Sequence, residues 1–353
     1  MNPKNILLIK SHSMGIGDLL RSSAAWQVLK SRWPSAHLHL LMLSRHPGYP
    51  TEQLIREHHL LDTAAFVAVA ARPESREKRS ASAVRKEVAE AFRDVPIDLV
   101  IDCEPYGLRT TLLAHWIARK WSALSVGVGQ FPTRGWFYDY AAPSTKSYIR
   151  KHRLTEPMDY TERDFVALAA LGLERHGTPL VLQVSADGLA WQQQHLPSTA
   201  RPLRVTLNIG CGTADALPKR PSMGLLVANM VALYRTMPFE LHLSGAAFEL
   251  DVNRQFALAF CQHLAALRTD CSVTDWAGKC SLSQLTGLLG ASDLVISTDS
   301  GPYHMAVGLG IPTVCWFNFA TPASYHDQRG VQRVINPSET EFIAAVNTSL
   351  GVT

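Results

Sequence analysis

Short apolar runs alternate with helix-spaced apolar positions along this chain, and the alternation starts afresh halfway. Residues 5–10 (NILLIK) read as a strand, followed by a polar, glycine-bearing turn from Ser11 to Asp18 and a helix over 19–32. In that helix Leu20, Ala24 and Val28 form one apolar line and Leu19, Trp26, Leu29 and Trp33 another, until Pro34 stops it. Further strands are predicted at 37–43, 66–70, 99–102 and 125–129. A basic, helix-prone stretch lies at 71–94, and a basic run at 146–153 leads into a helix over 161–171. The second half repeats the theme, with strands at 205–209, 239–244, 293–298 and 313–317 and helices near 223–234, 245–267, 281–290 and 339–350. Runs such as Leu294-Val295-Ile296, without alternation, mark strands covered on both faces. Strand and helix in regular exchange predict the α/β class, with doubly wound parallel sheets. Pro179, Pro197 and Pro202 loosen the pattern between the halves, so the expected domains are 1–178 and 179–353, with 339–350 as closing helix. Sheets of this kind bind ligands at the carboxyl ends of their strands, which predicts a site in a cleft between the two halves.

Composition narrows the function. At 353 residues the chain exceeds what one core usually supports, and 46% hydrophobic against 18% charged residues provides for two. A net charge of +4 suits an anionic substrate or membrane surface and is no nucleic-acid signature. No apolar run approaches the ~18 residues of a membrane span, and the first apolar run is too short for a signal peptide. The six cysteines include no CxxC pair, so buried thiols in a cytoplasmic protein are expected. Asp-x-Asp, HExxH, GxSxG and P-loop patterns are absent, and Gly15-Ile-Gly17 is followed by Asp-Leu-Leu rather than completing GxGxxG. No metal or nicotinamide cofactor is therefore expected.

Three strand-end turns carry the candidate chemistry. In the first, which includes Ser13, Gly15 and Gly17, Asp18 either caps the helix or serves as a carboxylate that takes a proton from a hydroxyl nucleophile. In the DSGPYH turn, Asp299, Ser300 and His304 are either helix cap and satisfied histidine or, with Gly301 opening the backbone, a clamp for phosphate or sugar hydroxyls. Lys219 and Arg220 follow another strand-end loop, as solvated cations or as partners of a pyrophosphate. The basic stretches 72–86 and 146–153 are solvated faces or a patch for an anionic acceptor or membrane, and the eight tryptophans read mainly as core.

The run 277–317 (AGKCSLSQLTGLLGASDLVISTDSGPYHMAVGLGIPTVCWF) resembles glycosyltransferase family nine, the bacterial lipopolysaccharide heptosyltransferases. The opening ILLIK…GDLL…LKSRWP and the segment LHLSGAAFE (241–249) are similar to two further family segments. The resemblance implies a GT-B fold of two Rossmann-like domains, acceptor-binding then donor-binding. It also implies inverting transfer of a sugar, usually heptose from ADP-heptose, onto a lipid-linked inner-core acceptor at the inner membrane. By position Asp18 matches the catalytic base and Lys219 the lysine on the donor phosphates. Asp299, Ser300, Gly301 and His304 match the donor loop, and Thr321 falls in the donor-side loop after the last strand. Three departures stand out: the extra glycine position in GIGD, Arg220 where the family often has Trp, and Asn318-Phe-Ala-Thr321-Pro322 in place of Gly-Pro-Thr-Asp-Pro. They leave two alternatives, a transferase using another nucleotide-sugar for capsule or glycoprotein and an inactive nucleotide-sugar-binding homologue.

Overall fold

The structure, a computed structural model, describes residues 1–11, 15–45, 47–71, 77–196, 202–210, 218–318 and 326–352. It divides into two compact units, Met1–Leu180 and Val181–Thr353.

Unit 1 runs β1 (Asn5–Ser11), α1 (Ile16–Arg21), α2 (Ser23–Arg32), β2 (His37–Ser44), α3 (Pro50–Arg56), β3 (Thr63–Ala68) and α4 (Ala81–Ala91). It continues with β4 (Leu99–Asp102), α5 (Leu108–Trp121), β5 (Leu124–Val128), β6 (Tyr140–Ala142), α6 (Thr145–His152) and α7 (Arg163–Leu168). Unit 2 runs α8 (Ala186–His195), β7 (Leu203–Asn208), α9 (Met223–Thr236), β8 (Phe239–Ser244), α10 (Leu250–Ala266) and β9 (Val273–Asp275). It closes with α11 (Leu282–Gly290), β10 (Leu294–Thr298), α12 (Gly301–Gly308), β11 (Thr313–Phe317), β12 (Val331–Ile335) and α13 (Glu339–Leu350).

Every strand pairing in both sheets is parallel. The orders β3-β2-β1-β4-β5-β6 and β9-β8-β7-β10-β11-β12 are the same order when counted from each unit's first strand. That order reverses direction beside the first strand, and the crevice at this switch point is where such sheets take ligands. It lies between β1 and β4 in unit 1, where Ile9 pairs with Asp102, and between β7 and β10 in unit 2, where Ser297 pairs with Asn208.

Hydrophobic burial on both faces of each sheet fixes these switch points. Leu7, Ile9, Leu41 and Val100 pack against Val88, Phe92 and Ile117 in unit 1. Leu241, Ile296 and Val314 belong to a cluster with Phe256, Phe260 and Phe342 in unit 2. Each such side chain contributes about 1.5–3 kcal/mol on leaving water.

Several elements differ from the expectation. The helix over 19–32 is two helices, because the Ser23 hydroxyl donates to the Leu20 carbonyl at 2.6 Å and diverts the backbone ladder at Ser22. The loosely patterned stretch after Pro179 contains α8, capped by Ser185, whose Oγ accepts from the Gly188 N–H. This helix crosses α11 through glycine rather than an apolar stripe: a Cβ on Gly287 would stand 2.1 Å from the Gly188 carbonyl oxygen. Helices α3 and α5 and the short strands β6, β9 and β12, which form sheet edges, were absent from the pattern. Trp136 is 82% exposed rather than core. Cys103 and Cys315 are buried, whereas Cys261 is exposed and Cys211 lies outside the described residues. Among the described residues no helix is long and apolar enough to cross a membrane.

Candidate functional site

In unit 2 the switch point is built around a neutral hydrogen-bonded scaffold. Asn208, buried at the end of β7, donates through Nδ2 to the Gly210 carbonyl at 3.0 Å and to Ser300 Oγ at 2.9 Å. Its Oδ1 accepts from Ser244 Oγ at the end of β8, at 3.3 Å. Thr298, closing β10, donates to the Gly210 carbonyl at 2.5 Å. Three neighbouring strand ends are thereby joined. Ser300 holds the N-cap position of α12 but its hydroxyl makes no capping bond, so the plainer expectation for it fails. Pro302 is the second helical residue, where the missing N–H costs no hydrogen bond.

Charge enters beside this scaffold. Lys219 Nζ donates to Asp299 Oδ2 at 2.9 Å and lies 3.3 Å from the Asp299 carbonyl oxygen, with its side chain about one-third exposed. His304 Nε2 is 3.8 Å from the other Asp299 oxygen, and His304 Nδ1 meets His326 Nε2 at 2.8 Å. Of two imidazole nitrogens at that distance one must donate and the other accept, so the two rings share one proton there. The His326 backbone N–H donates to Tyr303 Oη at 3.1 Å, which ties this part of the chain to α12. His304 is thus buried and satisfied, as its plainer reading holds, and is joined to Asp299 as well.

Asn208, His326 and Glu249 were not singled out from the sequence. Glu249 is buried near the start of α10, where Oε2 accepts the Ala246 N–H at 2.8 Å. A Cβ on Gly210 would stand 1.7 Å from Glu249 Oε1, so a side chain there would have to displace this carboxylate. The signal available for Asn208 was a polar residue closing an apolar strand, TLNIG.

In unit 1 Asp18 is the third residue of α1, and Gly15 is the N-cap. Asp18 is therefore no cap, since glycine already supplies the extended conformation required there; a first-turn carboxylate is still favoured by the helix dipole. Gly17 is buried inside the same turn. Around this turn the charges are already matched. Lys10, at the end of β1, donates to Asp164 of α7, and both are nearly buried. Burial alone would depress the Lys10 ammonium, but Asp164, Cys103 and Glu104 outweigh it and raise its pKa. Arg21 donates to Asp159 at 3.0 Å and Thr161 Oγ1 at 3.2 Å. At the end of β4, burial pushes Asp102 up to about 6 against the opposing pull of Tyr138, the Glu104 N–H and Arg134. Tyr138 Oη donates to it at 2.6 Å and Arg134 Nη2 at 3.2 Å.

Residues 254–341, which contain α12 and its turn, match the model for glycosyltransferase family 9 (heptosyltransferase). The match spans 88 of the chain's 353 residues. The chain is 36% identical over 66 residues to the lipopolysaccharide core heptosyltransferase OpsX of Haemophilus influenzae, a match that covers 19% of each protein. A family 9 glycosyl transferase of Veillonella parvula superposes with a TM-score of 0.71 at 18% identity, covering 99% of this chain and 97% of the other. The E. coli ADP-heptose lipopolysaccharide heptosyltransferase II superposes with 0.66 at 16% identity, covering 98% of both. The fold is GT-B, as expected.

Two of the departures from the family pattern acquire structural roles. Arg220 Nη2 lies 3.5 Å from Glu249 Oε1. Asn318, at the end of β11, donates through Nδ2 to the carbonyls of Pro218, at 2.7 Å, and Arg220. Those carbonyls bracket Lys219, so the residue that replaces the family's glycine holds the loop that presents this cation. Ser13 and Thr321 lie outside the described residues.

Proposed function

We propose that this protein is an inverting transferase that moves heptose from ADP-heptose onto a lipopolysaccharide inner-core acceptor, with unit 1 binding the acceptor and unit 2 the donor. The donor's diphosphate is met by Lys219 and by the backbone N–H groups at the head of α12, with no dedicated metal. Asp18 takes the proton from the acceptor hydroxyl while its oxygen attacks the anomeric carbon. The bond from that carbon to the diphosphate breaks, and the electron pair leaves with ADP. Asp299 holds Lys219 in place before the donor arrives, and His304 supports Asp299.

The observation that carries this reading is the Lys219–Asp299 pair, held by Asn318 and set beside the Asn208–Ser300 scaffold at the switch point of unit 2. The names of the similar proteins support heptose, ADP and lipopolysaccharide as the substrates. The placement is cytoplasmic, with the acceptor reached at the inner membrane.

A second reading changes the sugar nucleotide and is favoured by Arg220 beside Glu249, where the family often has Trp. Thermal unfolding against ADP, UDP and GDP decides between them. ADP at about 100 times its dissociation constant adds roughly 2.7 kcal/mol of stability, and Lys219→Ala removes most of that gain. A shift with UDP or GDP alone would replace the first reading by the second. ADP release that an inner-core acceptor lacking heptose does not stimulate would overturn the transfer itself.

A further inference from the structure

Unit 1 presents an apolar surface outside the runs that the sequence marked as basic, with Arg79 and Arg85 of the first run at its edge. Those runs are partly neutralised: Arg79 pairs with Glu87 at 2.6 Å and Lys151 with Glu174 at 3.5 Å. Residues 105–138, in contrast, contain no acidic residue and four basic ones: Arg109, Arg119 and Lys120, which are exposed, and Arg134, which is buried against Asp102. Apart from Met1 and Tyr140, every strongly exposed large apolar side chain described in unit 1 falls in this same segment.

The parts of the segment are fastened together. Arg134 Nε donates to Thr111 Oγ1 at 2.8 Å, and Phe137 offers its carbonyl to His115 Nδ1 at 3.2 Å, so the connection from β5 to β6 lies against α5. On α5, Leu108, Leu112, Trp116 and Arg119 follow one another at three- and four-residue steps along one face, while Leu113, Ala114 and Ile117 are buried on the other. Trp136, at 82% exposed, and Phe131 extend that face across the connection, and Tyr106, at 64%, begins it. On its other side a groove between α4 and α5 has Leu43, Val69 and Val84 in its lining and three guanidinium groups, Arg79, Arg85 and Arg109. Arg85 lies over the Trp116 ring at 5.6 Å.

A contiguous exposed apolar patch on a soluble chain marks an interaction site. Aromatic side chains beside Arg85 and Arg109 match an interface where acyl chains meet anionic headgroups. We propose that this face of unit 1, centred on Leu108, Leu112, Phe131 and Trp136, docks on an anionic phospholipid bilayer. The aromatic and leucine side chains enter the headgroup boundary and Arg85 and Arg109 take the lipid phosphates. This goes beyond the transfer reaction and needs no donor or acceptor for its test.

Co-sedimentation of the full chain with phosphatidylcholine vesicles, alone or in equimolar mixture with phosphatidylglycerol, tests it. The mixed vesicles carry the protein down and the neutral ones much less. Phe131→Ser with Trp136→Ser, both at exposed positions, lowers binding to mixed vesicles about tenfold or more. Arg109→Ala lowers it about fivefold. Thermal unfolding of each variant at the parent's temperature shows that the loss is not unfolding. Equal sedimentation with both lipids, or variants that bind like the parent, would overturn the proposal. So would a dimer, detected by light scattering, that Trp136→Ser dissociates while vesicle binding is absent, since the face would then belong to a second copy of the chain.

Discussion

The two switch points share a strand order and differ in what they do with charge. In unit 1 the strand ends hold ionised groups already matched inside the fold: Lys10 with Asp164, Arg134 with Asp102, and Arg21 with Asp159. In unit 2 the strand ends are joined by Asn208, Ser300 and Thr298, all uncharged, and one partly exposed cation stands beside them, held by Asp299. A buried ion pair resists rearrangement, because separating it leaves a charge without water or partner. A neutral scaffold with a cation at its rim can accept an anion at little cost, since Lys219 has only to share its bonds. The same topology thus carries matched buried charges in one unit and a partly exposed cation in the other. In unit 1 the proposed base, Asp18, stands in the first turn of α1.

Asp18→Asn tests that proposed role and should have the largest effect. The transfer rate falls about 10²–10⁴-fold, the range for a lost general base, while thermal stability and the ADP-induced shift remain. Unaltered turnover would place Asp18 among the structural charges.

The matched charges of unit 1 should respond in the opposite way. Asp164→Leu leaves the Lys10 ammonium buried without its partner and costs about 3–5 kcal/mol in urea unfolding. Lys10→Met together with Asp164→Leu removes both charges and restores most of that loss. A single variant as stable as the parent would mean that the pair contributes no rigidity.

The smallest effect is expected in unit 2, at Asn318→Ala. Freeing the carbonyls on either side of Lys219 removes neutral hydrogen bonds worth about 0.5–1.5 kcal/mol each. ADP binding, followed by calorimetry, weakens about two- to tenfold with little change in unfolding temperature. A loss as large as that of Lys219→Ala would show that Asn318 touches the nucleotide itself.

Much of this was legible in the chain. The apolar runs at 5–10, 99–102, 205–209 and 293–298 became the four strands that flank the two switch points, because a strand covered on both faces leaves an unbroken hydrophobic signature. The DSGPYH turn marked the head of α12, since proline and glycine punctuate strand and helix locally. The edge strands β6, β9 and β12 left no such mark, being short and half exposed, and α8 was hidden because it packs through glycine. Of the candidate site, Lys219, Asp299, Ser300, Gly301 and His304 gather within unit 2. Asn208 and His326 could not be found beforehand, as each acts through a partner many residues away.

By itself, then, the sequence determined the α/β class, the two halves, the central strands and the turns that hold the candidate residues. These follow from periodicity and local backbone preference, which are properties of neighbours in the chain. Tertiary structure decided which charges are spent on stability and which stay available. That choice depends on burial and on distances of a few ångströms between groups far apart in sequence, and no local pattern encodes it.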